Sequence, residues 1–293
     1  MPIRRPRREE IAAAILAPVV VLGAVFAGLQ RDTSSHASSE PTPVDLDAPI
    51  PVDARLRTGK LRNELQYFVQ RNHWPEKRAE LRLVVNAGSV LEADDQRGLA
   101  HAVEHMLFRG TKRFPGHFVD NYLMSIGMRR GSDINASTSE DETIYRITVP
   151  TDRLGAIDTA LAILADMARN AVFDANEAQQ EGGVVLSEWR SRSSARQRLY
   201  DDRNALLLSG SPYAGHPVIG DTAVLRRFDL AAMKRFYADW YRPDLMAVVA
   251  VGDFEAPAVE ELVKKHFGDV PKARSPRARS DAIVPRPPEP RAA

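Results

Sequence analysis

Gly98-Leu-Ala-His101-Ala-Val-Glu104-His105-Met-Leu107 places two imidazoles and one carboxylate within five residues. Residues four apart on a helix stand one turn apart on the same face, so His101 and His105 could hold one metal ion between them. Glu104 falls in the same narrow arc at about 100° per residue. Leu99, Val103, Met106 and Leu107 fall on the opposite arc. The spacing therefore predicts a helix with one apolar face for a core and one polar face aimed at a site.

Working outward, strands and helices alternate. Residues 65–70 and 80–86 read as strands, the second with Leu81, Leu83 and Val85 on one face. Residues 117–126 read as a helix closed by Gly127. Residues 142–149 return as a strand with Thr143, Tyr145, Ile147 and Val149 in step. Residues 153–170 carry Leu154, Ile157, Leu161 and Leu164 at helical spacing, 176–207 form a long helical region, 246–251 a buried strand and 259–266 a last helix. This mixed order predicts an α+β fold, a mostly antiparallel sheet packed with helices, rather than a doubly wound one.

The chain has 293 residues, 44% hydrophobic and 27% charged, with a net charge of +1 and no cysteine. That balance offers no field for nucleic acid. Thiolate-held zinc and disulfides are excluded, so a zinc site here must use histidine and carboxylate, the donor set of catalytic centres. Residues 1–29 combine Arg4, Arg5, Arg7 and Arg8 with an uncharged apolar run. They read as a signal peptide or a membrane anchor, which exports the rest to the periplasm or another extracytoplasmic space. Residues 30–55 read as a flexible linker, 56–271 as the structured domain and 272–293 as a Pro/Arg-rich tail or interdomain linker.

A hydrolytic zinc centre needs a third protein ligand and an open position for water. Glu181-Gly-Gly-Val-Val-Leu-Ser-Glu188 offers two candidates seven apart, on one helical face. The residues alone leave Glu181 and Glu188 both open. Gly182 and Gly183 each cost about 1 kcal/mol in a helix interior, and their pairing suggests another backbone packed close by.

The H-x-x-E-H order is the reverse of the better-known zinc-protease signature and is the inverzincin pattern. With Met106-Leu-Phe-Arg-Gly-Thr111, Asn135-Ala136-x-Thr138, Asp141-Glu-Thr-Ile-Tyr145, Glu181, Glu188, Gly210-Ser-Pro-Tyr-Ala214, Pro217-Val-Ile-Gly220 and Phe236-Tyr-x-x-Trp-Tyr-Arg-Pro-Asp244, the chain resembles the pitrilysin/insulinase family of zinc proteases, peptidase family M16, and above all its bacterial periplasmic members. The likeness runs from about residue 58 to residue 270. It implies the metallohydrolase fold shared with LuxS and the mitochondrial processing peptidase.

It also implies one Zn2+ per chain, with His101, His105 and Glu188 as ligands. Glu104 would be the general base that takes a proton from water activated by the metal, and Glu181 a supporting carboxylate. Asn135 and Ala136 would lie at the cleft edge, where a peptide substrate adds as an extended strand.

The implied function is a metalloendopeptidase acting on unfolded peptides and small proteins. The alternative is a peptide-binding or scaffold half without catalysis. Family members close a chamber from homologous halves, and the partner half helps polarise the substrate carbonyl. A second-half protein, or a second copy of this chain, is therefore an expected partner. Loss of such stabilisation costs about 10²–10³-fold in rate, so the isolated chain is expected to be weakly active at best. Two positions depart from the family pattern: Gly182 stands where arginine is common, and Glu64 where glycine commonly precedes Leu65.

Overall fold

The computed structural model describes residues 51–286 except Ser193. The expected leader at residues 1–29 and most of the linker at 30–55 lie outside the described residues. Six strands form one sheet in the order β1-β2-β6-β3-β5-β4. They are β1 (Arg57–Lys60), β2 (Gln66–Arg71), β3 (Arg78–Val85), β4 (Ile134–Thr138), β5 (Thr143–Pro150) and β6 (Met246–Gly252). Only β2 and β6 run parallel; every other pair is antiparallel. The mixed, mostly antiparallel α+β architecture is the one the alternation predicts.

Strict alternation makes one face of this sheet the core. Ala79, Leu81, Leu83 and Val85 of β3 are fully buried, as are Tyr145, Ile147 and Val149 of β5 and Val248 and Ala250 of β6. Their neighbours Glu80, Arg82 and Val84 are only half-buried on the other face. Helices α1 (Leu99–Leu107), α2 (Phe118–Ser125), α3 (Ala156–Arg169), α4 (Ala175–Arg192), α5 (Ala195–Leu207), α6 (Thr222–Arg227), α7 (Leu230–Trp240) and α8 (Ala256–Phe267) complete the fold. Helix α3 packs on β3, β5 and α8, while α1 packs against α7, α4 and β4. Among the described residues, no helix is long and apolar enough to cross a membrane.

Several sequence expectations change. The long helical region at 176–207 is two helices, because Ser194 caps a new one: its hydroxyl accepts from the Gln197 amide at 3.1 Å. The third helix begins at Ala156, since Gly155 takes the left-handed conformation (φ 77°), and Leu154 is left entirely in solvent. Gly182 meets the ring of Phe228 rather than a backbone, and Gly183 faces open space. Strands β1 and β4 and helices α6 and α7 escape the periodicity reading. Residues 272–286 form no helix or strand, yet they are not a free tail: Ala282 packs against the core. Arg279 donates to the Asn86 carbonyl at 3.0 Å, and the Arg277 carbonyl accepts from Arg242 at 2.6 Å. Glu64 has φ 81°, the conformation that makes glycine the common residue there.

Candidate metal centre and peptide cleft

Helix α1 is fixed at its N-terminus before any ligand is considered. Gly98 is left-handed (φ 97°), and a Cβ on it would lie 2.8 Å from the Cα of Gly220. A Cβ on Gly220 would in turn lie 2.3 Å from the Cα of Gly98, so only glycines permit this backbone crossing. No side chain at Gly98 can cap the helix. The buried carboxylate of Glu92 does so instead, accepting from the Gly98 amide at 2.9 Å and the Ala100 amide at 2.7 Å. Burial pushes the Glu92 carboxyl up to about 8 against the pull of those amides.

So anchored, α1 turns His101, Glu104 and His105 into a cleft of about 300 Å³. Helix α4 supplies one wall with Glu181, Glu188 and Arg192. Strand β4 supplies the other with Ile134, Asn135 and Ala136. The polar arc of α1 is not a solvated face: His101 and Glu104 are 7% and 8% exposed.

The five polar groups divide into two sets. One oxygen of Glu188 lies 3.6 Å from Nε2 of His101 and 3.8 Å from Nε2 of His105. These separations are too long for hydrogen bonds. One donor atom from each of the three residues falls within 4.8 Å of the others, the only such metal-sized group among the described residues. Glu181 sits on the far side of His105, its Oε2 accepting from Nδ1 at 2.9 Å and its Oε1 accepting from Arg109 Nε at 2.5 Å. The structure thus separates the two glutamates that spacing alone could not.

The donor set fits a divalent cation. Bonds of about 2.0–2.1 Å to tetrahedral zinc put neighbouring ligand atoms roughly 3.3 Å apart, a little inside the 3.6 and 3.8 Å from Glu188 to the two rings. The Glu181 hydrogen bond fixes the His105 proton on Nδ1 and turns the Nε2 lone pair to the cleft. Burial, aided by His105 and Arg192, depresses His101 to about 3, so it is the neutral imidazole that a metal needs. Its buried Nδ1 has no hydrogen-bond partner among the described residues. Burial pulls His105 down, but the Glu181 hydrogen bond and the charges of Glu188 and Glu104 outweigh it and raise it. Carboxylates that favour a proton there favour any cation.

Glu104 stands apart from the donor group. Burial raises its carboxyl above the ordinary range, opposed by the Thr138 hydroxyl, which donates to Oε2 at 2.6 Å. For Glu181, the His105 hydrogen bond and the Arg109 charge overcome burial and hold it ionised.

Asn135 and Ala136 lie on β4, the last strand of the sheet. Beyond one bridge between Ile134 and Arg130, the outer edge of β4 pairs with nothing among the described residues. Sequence reasoning gave no role to Thr138, Arg109 or Glu92. Thr138 and Arg109 belong to the Asn135-Ala136-x-Thr138 and Met106–Thr111 motifs, but only the tertiary fold carries them to Glu104 and Glu181. The other histidines among the described residues stay outside the cleft: His73 pairs with Asp253, His117 with Arg109, His216 with backbone carbonyls and His266 with Asp158.

Comparison with known proteins points the same way. A model of the family described as Insulinase (Peptidase family M16) matches residues 67–216, and one described as Peptidase M16 inactive domain matches residues 227–292. A probable zinc protease PqqL of Haemophilus influenzae is 38% identical over 74% of this chain and 24% of its own length. A zinc protease PQQL-like protein of Arabidopsis thaliana is 42% identical over 74% of this chain and 23% of its own. The crystal structure of the first half of the periplasmic protease PqqL from Escherichia coli superposes with a TM-score of 0.76 at 33% identity, covering 81% of this chain and 50% of that one. The chain spans about a quarter of the length of the curated relatives it matches.

Proposed function

This chain belongs to the insulinase family of peptidases, family M16, and from that premise we propose that it is the metal-bearing part of a zinc-dependent endopeptidase acting on unfolded peptides. The observation that carries the reading is the convergence of His101, His105 and Glu188 within 4.8 Å, with Glu104 buried beside them in one cleft. His101, His105 and Glu188 would hold one zinc ion. Bound there, zinc would supply Lewis acidity, bringing the pKa of water to about 7 and polarising a carbonyl.

The remaining work falls to this chain's own side chains. Glu104 takes a proton from water and returns it to the departing amine, a task suited to a carboxyl raised by burial. Thr138 holds one of its oxygens and leaves the other for the proton. Glu181 keeps the His105 ring turned toward the metal, and Arg109 holds Glu181. The free edge of β4 pairs with an extended peptide past Asn135 and Ala136.

We assign the peptidase domain to residues 56–271, with 272–293 as a Pro/Arg-rich tail or interdomain linker; the run of elements from β1 to α8 within those bounds supports this. The length of the relatives supports a homologous second part, from the same protein, a partner or a second copy, that closes the cleft. Export to an extracytoplasmic space is supported by the basic and apolar residues of 1–29 and by the periplasmic Escherichia coli relative.

Glu104→Gln should bind zinc at the parent stoichiometry and cleave nothing, while His101→Ala should lose both zinc and cleavage. Zinc analysis and peptide cleavage, each with and without a second-half protein, test this. Cleavage by Glu104→Gln at the parent rate would refute the mechanism.

A further inference from the structure

We propose that Arg192 makes this cleft select peptides bearing a carboxylate within a few residues of the bond to be cut. The inference rests on the peptidase reading and names its substrate class. Three guanidinium groups line the cleft, and two are already committed. Arg109 donates to Glu181 at 2.5 Å. Arg130 Nη2 reaches the two oxygens of Asp120 at 2.7 and 2.5 Å, and its guanidinium lies over the Phe108 ring. Arg192 makes no side-chain hydrogen bond or ion pair among the described residues, and it is exposed.

Its position gives that free charge a direction. Arg192 is the last residue of α4, one turn beyond Glu188, and so on the helix face that carries Glu188 into the cleft. Glu181 answers Arg109 and Asp120 answers Arg130. Glu104 and Glu188 then face Arg192 together with the two charges of a bound zinc ion, which leaves one positive charge in excess. A peptide paired to the β4 edge runs through the cleft across from the end of α4. Arg192 is the one guanidinium there still able to receive an anion, and arginine accepts a carboxylate through two parallel hydrogen bonds. An arginine in a last turn also complements the helix dipole, a role that lysine keeps and that ignores peptide charge.

The test uses the full chain carrying Glu104→Gln, loaded with zinc, and labelled peptides that differ only in Asp, Asn or Lys at one position near the centre. Each is made as the free acid and as the C-terminal amide. Binding is read by fluorescence anisotropy, zinc by elemental analysis and folding by circular dichroism. We expect the Asp peptide to bind about 3- to 10-fold tighter than the Asn peptide. Adding Arg192→Gln should erase that preference with zinc content unchanged, Arg192→Lys should restore part of it, and Arg192→Glu should turn it toward the Lys peptide.

A preference for free acid over amide, without one for internal Asp, would assign the subsite to a C-terminal carboxylate. Equal binding of all peptides, or a preference that survives Arg192→Gln, would overturn the inference and leave the peptidase reading standing. A folded chain that holds no zinc and binds no peptide of any charge would overturn both.

Discussion

Oε2 of Glu181 accepts the Nδ1 proton of His105 at 2.9 Å, while Glu188 approaches the opposite nitrogen of the same ring at 3.8 Å. One imidazole is thus held between two carboxylates from one helix, seven residues apart, each facing a different nitrogen. The division assigns them different consequences. Removing the Glu181 carboxylate leaves every donor in place and frees the ring to rotate or change tautomer. Glu181→Gln should weaken zinc binding by about 10- to 100-fold. Glu188→Gln removes a donor and should weaken it further. Competition with a chromogenic chelator measures both, and equal affinities for the parent and Glu181→Gln would show that the ring needs no such support.

Thr138 reaches Glu104 from β4, the strand that would also receive the peptide. A hydrogen bond to a charged group contributes about 1.5–3 kcal/mol. Thr138→Val should therefore lower kcat by roughly tenfold or more at unchanged zinc content, in whichever assembled form cleaves peptide. Thr138→Ser should keep most of the rate. A fall in zinc content equal to the fall in rate would instead give Thr138 a structural part.

What could be read in advance follows the range of the interactions. His101, Glu104 and His105 close on one another within a helical turn, so spacing alone puts them on one face. The alternation of Leu81, Leu83 and Val85 sets the core face of β3 in the same local way. Glu188 joins the histidines only through tertiary packing of α4 on α1, and seven-residue spacing cannot separate it from Glu181. Thr138, Arg109 and Glu92 act across the fold and left no local signal. Two helix boundaries are set by single residues, the Ser194 cap and left-handed Gly155, against apolar periodicity that runs straight through them. Glu64 departs from the glycine that the family resemblance leads one to expect, and the structure supplies what that departure alone does not, a left-handed backbone at this position (φ 81°).

The glycines of this chain divide by what surrounds them. Gly220 has φ 81°, and a Cβ there would press on the Gly98 backbone, beneath the start of the histidine helix. Gly220→Ala should cost about 2–4 kcal/mol and weaken zinc binding with it. Gly183 is helical, exposed and faces open space, so Gly183→Ala should raise stability by about 0.5–1 kcal/mol. Chemical denaturation reads both. A neutral Gly220→Ala would mean that the crossing relaxes without moving α1.

Far from the cleft, Glu260 on α8 ties the helix to β1 and β2. It accepts from Lys264 at 2.9 Å, from the Tyr67 hydroxyl at 2.9 Å and from Arg57. The Lys264 hydrogen bond, against the opposing effect of burial, leads the interactions that hold its carboxyl at about 2, below an ordinary 4.5. The unfolded chain thus binds a proton on this group at a higher pH than the folded chain does. Its contribution is complete above about pH 4.5, declines as pH falls and is gone below about pH 2. Because Lys264 and Arg57 are themselves 40% and 46% exposed, solvent screening limits the gain to about 1–2 kcal/mol. Urea melts of the parent and Glu260→Gln between pH 7 and pH 2 should show a stability gap that is constant at the upper end and closes through the acid range. A gap that stays open at pH 2 would place the contribution of Glu260 in packing rather than in charge.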